Sequence, residues 1–256
     1  MSGVHRPSQL YVEVDSPVHR LAPEPKIVAL VAFMIAVVAT PREQVGAFAA
    51  HAALVAIAAA VAHVHPAIVV RRWLVAAPFL LVALLIPFAA RGEAVVTLGP
   101  LGASAEGLWA SWNVVAKALL GVSAVTVVTA STRFTELLAG FERLRVPPVF
   151  TTTAAFMLRY LDTVVDELGR MRVARLSRAD DPRWLWQARG VASTAGALFV
   201  RTFERGERVH QCMLSRGFTG AMPGLGAGRA TIAEWFAASW IPVLAVAVAV
   251  VAAVTA

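Results

Sequence analysis

Residues 108–130 read LWASWNVVAKALLGVSAVTVVTA, an apolar run whose one formal charge is Lys117. A helix needs roughly 20 predominantly apolar residues to cross the hydrocarbon core of a bilayer, and this stretch supplies them. Similar runs lie on either side. One extends from about Ile27 to Thr40, before Pro41, and reaches back through Lys26. A second runs from about Val45 to Val64 and is interrupted by His51. A third runs from about Val69 to Ala90 with Pro78 and Pro87 inside it. The last begins near Ile232 and continues to the C-terminus. Composition agrees: 58% of the 256 residues are hydrophobic and 15% are charged, against about 25% charged in an ordinary soluble domain. Mean hydropathy is +0.68. The expected fold is all-α, a polytopic membrane protein with about five transmembrane helices.

Charge sets the expected orientation, because loops rich in arginine and lysine stay cytoplasmic. The net charge of +7 is almost all arginine, since Lys26 and Lys117 are the only lysines. Arg71 and Arg72, with His63 and His65, follow the second run, and a dense arginine cluster follows the fourth. The loops at 42–46 and 91–107 are poor in positive charge. One arrangement satisfies every loop: N-terminus inside, residues 131–228 inside, C-terminus outside. No secretory leader is read in the polar first 25 residues, which contain Pro7, Pro17, Pro23 and Pro25. The single cysteine, Cys212, excludes an internal disulfide.

The segment between the fourth and last runs is helical but not apolar. Phe134, Leu137, Leu138, Phe141 and Leu144 have the spacing of one helix face, and Pro147-Pro148 ends that helix. A long helix is expected over about 148–179, with Met157, Leu161, Val164, Leu168 and Met171 as its stripe. Asp180-Asp181-Pro182 signals a turn. Another helix is expected over about 184–216, stopped by Gly217. The organisation is thus 1–131, a lead-in and transmembrane helices; 132–228, cytoplasmic helices; and 229–256, a final transmembrane helix. The two long helices end alike, in Ser177-Arg178-Ala179 and Ser215-Arg216-Gly217. An arginine there is favoured by the helix dipole and by free carbonyls. Two such ends also suit a docking surface, since the planar guanidinium binds carboxylates bidentately.

The runs TRFTELLAGFERLRVPPVFTTTAAFMLRYLDTVVDELGRMRVARLSR (132–178) and LFVRTFERGERVHQCMLSRGF (198–218) resemble the transmembrane T component of energy-coupling factor transporters. The segment Asp15-Ser16-Pro17-Val18-His19-Arg20-Leu21 resembles its cobalt/nickel, CbiQ-like subtype. The resemblance implies a scaffold in the bacterial plasma membrane, joining two ABC-type ATPase subunits to a separate substrate-capture membrane subunit. Ser177, Arg178, Ala179, Ser215, Arg216 and Gly217 match the family's ATPase-coupling motifs. Ala179 stands where glycine is common, and Arg175, three residues before Arg178, is the rival contact. By the same resemblance the face of Phe134, Leu137, Leu138 and Phe141 would cradle the capture subunit. Cobalt or nickel is the implied cargo, chosen by that other subunit; vitamin uptake is the variant within the family.

Nothing in the residues points to catalysis or to a cofactor. There is no G-x-x-x-x-G-K-[ST] loop, so the chain is not expected to bind ATP, and there is no H-E-x-x-H or C-x-x-C. His63 and His65, two apart, fall on different sides of a helix and read as residues at a membrane edge rather than metal ligands. His51 and Lys117 inside apolar runs are functional suspects by position. The plainer reading bonds each to a neighbouring group. A membrane-embedded enzyme would use those two with Asp162. A self-sufficient carrier would need polar pairs in several spans, and few are found. Asp162 and Glu167 read as salt-bridged helix surfaces. The arginine cluster suits anionic lipid. It is interleaved with Glu142, Asp166, Glu204 and Glu207 and lacks an aromatic platform, which argues against nucleic acid.

Overall fold

The computed structural model describes residues 11–12, 14–89, 94–98, 101–178, 188–220 and 230–255. The chain divides into two units, one of 144–226 and one of 8–143 with 227–256.

The larger unit holds the apolar runs. Its elements are α1 (Pro17–Arg20), α2 (Pro23–Ala39), α3 (Val45–Val61), α4 (Pro66–Arg72), α5 (Ala77–Ala89), the strands β1 (Ala94–Leu98) and β2 (Leu101–Ser104), α6 (Ala105–Ser131), α7 (Phe134–Arg143) and α10 (Ile232–Thr255). Three stretches are long and apolar enough to cross a membrane: Pro66–Pro87, Ala105–Ser131 and Ile232–Thr255. A fourth, α3, is apolar but only 17 residues long. The sequence suggests five. The first of those is weaker than expected because α2 opens on Pro23 and carries Glu24 and Lys26 in its first turn. Its apolar remainder, Ile27–Ala39, spans only ~20 Å at 1.5 Å per residue, against a hydrocarbon core of about 30 Å.

The third run is not one smooth helix. A 3-10 turn, Trp73–Ala76, separates α4 from α5. Pro78 has no N–H to give the carbonyl of Leu74 four residues back, and the N–H of Ala77 takes that carbonyl instead. The stretch after α5, expected as a loop, pairs as the antiparallel hairpin β1–β2, with Leu98 opposite Leu101.

The core lies between α2, α3, α6 and α10, filled by Phe33, Val37, Phe48, Leu54, Val55, Leu120, Ala124, Val127, Ala245 and Ala249. Small residues let α6 approach closely: a Cβ on Gly121 would lie 3.0 Å from Met34 Cε. The outer surface is apolar too, with Ile35, Leu74, Phe79, Leu84, Val250 and Val254 exposed. Buried alanines and exposed leucines are what a lipid solvent demands.

Hydrogen bonds define two ends of this bundle. At one, Ala22 N–H donates to Glu234, Val12 N–H to the Ala130 carbonyl, and Arg72 to Thr129. The starts of α2 and α10 and the close of α4 therefore gather with the close of α6. At the other, Lys117 donates to the Val38 carbonyl and Gln44 to Thr255. The ends of α2 and α10 meet there.

The smaller unit contains α8 (Pro148–Leu176) and α9 (Ala188–Leu214). Both expected long helices are present, each two or three residues shorter at its described C-terminal end. Ala179 and the Asp180-Asp181-Pro182 turn lie outside the described residues, as does the linker from Ala221 to Gly226.

Candidate coupling and docking sites

The end of α9 is set by a glycine. Gly217 has φ +81, the left-handed conformation glycine adopts without steric cost. Phe218 N–H then donates to the Met213 carbonyl and Gly217 N–H to that of Leu214, each at 3.0 Å. This is the Schellman arrangement, and it makes Arg216 the cap residue. At the end of α8, Ser177 N–H donates to Val173 and Arg178 N–H to Arg175, both at 3.0 Å. The serines match. Ser177 Oγ donates to the Ala174 carbonyl at 3.0 Å, and Ser215 Oγ to that of Cys212 at 2.9 Å. Each ties the final turn and leaves the following arginine outside it. Arg178 and Arg216 are both exposed. Neither guanidinium has a hydrogen-bond or ion-pair partner among the described residues.

Other arginines of this unit are committed elsewhere. Glu167, buried on α8, accepts from Arg201 at 3.3 Å and from Arg205 at 3.0 Å, both on α9. These bonds, Arg205 first, hold its carboxyl below the ordinary carboxylate range. Arg175 is half-buried and reaches Thr194 Oγ1 at 3.5 Å. The rival contact is thus engaged between the helices, whereas Arg178 stands free of them. The pairings also fix direction. Residues 167 and 175 on α8 meet 201–205 and 194 on α9, so the two helices run antiparallel. Their arginine ends point away from each other, ~16 Å and ~20 Å from the Glu167 clamp by helical rise.

In the larger unit, α7 is pinned by one face. Gly140 is buried against Pro23 and Ile27, and Arg143 pairs with Glu24 at 3.1 Å, the carboxylate only 6% exposed. Phe134 and Phe141 are exposed, and Leu137 and Leu138 half-buried. Those four form an apolar face without a cover in the chain's described residues. Sequence periodicity found that face. It missed Gly140 and Glu24, whose signals are a lone glycine in a helical pattern and an acidic residue beside a proline.

The intramembrane polar residues have local partners. His51 Nδ1 donates to the Ala47 carbonyl at 2.6 Å, and the ring meets Phe33 edge-on. Lys117 reaches the Val38 carbonyl at 2.8 Å. His65 caps α4 by accepting from Ala67 N–H at 3.3 Å. Asp162 is exposed on α8.

The sequence model of a family described as cobalt transport protein, CbiQ, matches residues 15–225. The chain belongs to the CbiQ family. It is the transmembrane T component of an energy-coupling factor transporter: a multi-pass membrane protein and a non-catalytic transporter subunit. This CbiQ-family chain is similar to the energy-coupling factor transporter transmembrane protein EcfT of Heliobacterium modesticaldum. The two are 28% identical over 223 residues, which is 82% of this chain and 83% of that protein. It is likewise 28% identical to EcfT of Thermanaerovibrio acidaminovorans over 249 residues, 90% of this chain and 88% of that one.

Proposed function

We propose that this T component transmits ATP-driven movement from two ABC-type ATPases to a substrate-capture subunit that admits cobalt, or nickel, through the bacterial plasma membrane. The observation that carries this reading is the pair of matching Ser-Arg ends. Both guanidiniums are free among the described residues, while Arg175, Arg201 and Arg205 are engaged. An exposed, uncommitted arginine at a rigid helix end suits a bidentate contact with a carboxylate in a partner's groove. Two ends pointing apart suit two ATPases, one on each. The apolar face of Phe134, Leu137, Leu138 and Phe141 suits the capture subunit. Residues 132–228 then form the coupling region, facing the cytoplasm with the N-terminus, between the spans of 1–131 and the final span of 229–256. ATP-driven closure of the ATPase pair would move α8 and α9 as levers joined at Glu167. Cobalt is supported by the family's description and by the segment from Asp15 to Leu21.

The test is co-purification of the ATPases with the chain, comparing wild type with Arg178→Ala, Arg216→Ala and the double variant. Leaving a partner carboxylate buried without its arginine costs about 3–5 kcal/mol. Each single variant should therefore lose most of one ATPase or its coupling to cobalt accumulation, and the double variant should lose both. Full retention and full uptake in the double variant would remove the two arginines from the mechanism.

A further inference from the structure

Arg143 is the last residue of α7, and α8 begins at Pro148. The connection between them is short and stiff. Arg145 has φ +64, a region that non-glycine residues rarely enter. Pro147 and Pro148 each fix their own φ and hold the residue before them extended. A displacement of α8 therefore reaches Arg143 with little slack. From Arg143 it meets the span bundle at one point. Arg143 Nη1 donates to Glu24 Oε1 at 3.1 Å, with the two side chains 19% and 6% exposed. Glu24 lies in the first turn of α2. That helix lies along α10 and is tied to its first turn, where Ala22 N–H donates to Glu234 at 3.2 Å.

Stability alone does not account for this ion pair. Gly140 already seats α7 on Pro23 and Ile27 by apolar contact. Desolvation offsets most of the attraction in a buried pair, and apolar side chains of similar volume often serve as well. Here the cost is raised, because Glu24 Oε2 is buried with no hydrogen-bond partner among the described residues. What the pair supplies is register. A guanidinium and a carboxylate meet in a defined direction, whereas apolar contact is non-directional and lets one helix slide on another.

We infer that Glu24 and Arg143 are positioning residues for transport. Their ion pair stays closed through the cycle and passes the displacement of α8 to α2, and through α2 to α10. The inference rests on the coupling reading above and names the place where the levers grip the bundle.

The chain in complex with its ATPases and capture subunit, in vesicles, tests it by metal-ion accumulation (cobalt, or nickel) and ATP hydrolysis measured together. The double variant Glu24→Leu with Arg143→Met exchanges the charges for apolar contact of similar volume. It should keep the thermal midpoint, the ATPases and their hydrolysis of ATP. Ions accumulated per ATP should fall at least about fivefold, the low end of ordinary coupling between sites. A wild-type yield in that variant overturns the proposal. A lowered midpoint with loss of the ATPases makes the pair structural and overturns it too. A second readout asks whether the pair stays closed. In a Cys212→Ser background, Glu24→Cys and Arg143→Cys should show the low yield, and joining the two thiols with a short bifunctional reagent should restore it. A joined complex no better than the unjoined one overturns the proposal. A wild-type complex that retains no ATPase, or accumulates neither ion, overturns the coupling reading and this role with it. A wild-type complex that accumulates the ion no better per ATP than the double variant overturns this role alone.

Discussion

A Cβ placed on Gly140 would meet Ile27 Cδ1 at 2.9 Å, Pro23 Cβ at 3.0 Å and the Pro23 carbonyl carbon at 3.3 Å. Proline is rigid and Ile27 is buried at 7% exposed, so neither yields freely. Two effects compete on replacement. A residue better than glycine in a helix interior gains up to about 1 kcal/mol, and overpacking a tight contact costs about 1–3 kcal/mol. For Gly140→Val the second should win, because valine adds bulk and little propensity. Thermal unfolding in detergent should show a lowered midpoint, with α7 released from α2. Gly169 on α8 is the control. It is exposed and a Cβ there meets nothing within 4 Å, so Gly169→Ala should leave the midpoint unchanged or raise it. A Gly140→Val midpoint equal to wild type would mean that this contact does not hold α7.

At the scale of elements, Glu167 joins α8 to α9, and its charge state is the handle. Arg205 and Arg201 hold its carboxyl below the usual range when the helices are paired. A carboxyl lowered in the folded state contributes stability that is present above its unfolded value, about 4.3. That contribution is lost as pH falls through the lower, folded value. The α8–α9 pairing should therefore be insensitive to pH near neutrality and loosen in acid below the carboxylate range. Spin labels at Val173 and Ala197, in a Cys212→Ser background, would read this as a broadened distance distribution. Glu167→Gln should show the loosened distribution already at neutral pH. An unchanged distribution in that variant would show that the clamp is not what joins the helices. The helices themselves were legible in sequence, because stripes such as Phe134 to Phe141 and Met157 to Met171 and stops such as Pro147 and Gly217 are local signals. Their joint was legible only in part. Glu167 reads as salt-bridged, but the identity of its partners on α9 depends on an antiparallel crossing that no local pattern encodes. The hairpin β1–β2 escapes a reading by loop charge, because its signal lies in the strand residues on either side of Gly99-Pro100. The tight seat of Gly140 is made by residues far apart in the chain, and has no sequence signature of its own.

Across the whole molecule, charge is segregated between the two ends of the span bundle. The end where α2 and α10 begin and α4 and α6 close carries Arg20, Lys26, Arg71, Arg72 and Arg133. The end where α2 and α10 finish has Lys117, which reaches the Val38 carbonyl, and Arg42 beside Glu43, which pair at 3.9 Å. The orientation proposed above has the first end inside, since arginine and lysine are retained on the cytoplasmic side. The coupling reading requires that placement, since ATPases meet ATP only there. The chain carries its own probe: Cys212 is its single cysteine, exposed on α9 four residues before Arg216. A membrane-impermeant maleimide should label Cys212 in inside-out vesicles and not in right-side-out ones. In a Cys212→Ser background, Thr255→Cys should give the opposite result, because α10 crosses once and its close lies beside Gln44 at the far end. Labelling of Cys212 from outside would invert the bundle and leave Arg178 and Arg216 facing away from any ATPase. Labelling of both positions from the same side would mean that α10 does not cross, and the charge argument would have to be rebuilt on α3 and α6 alone.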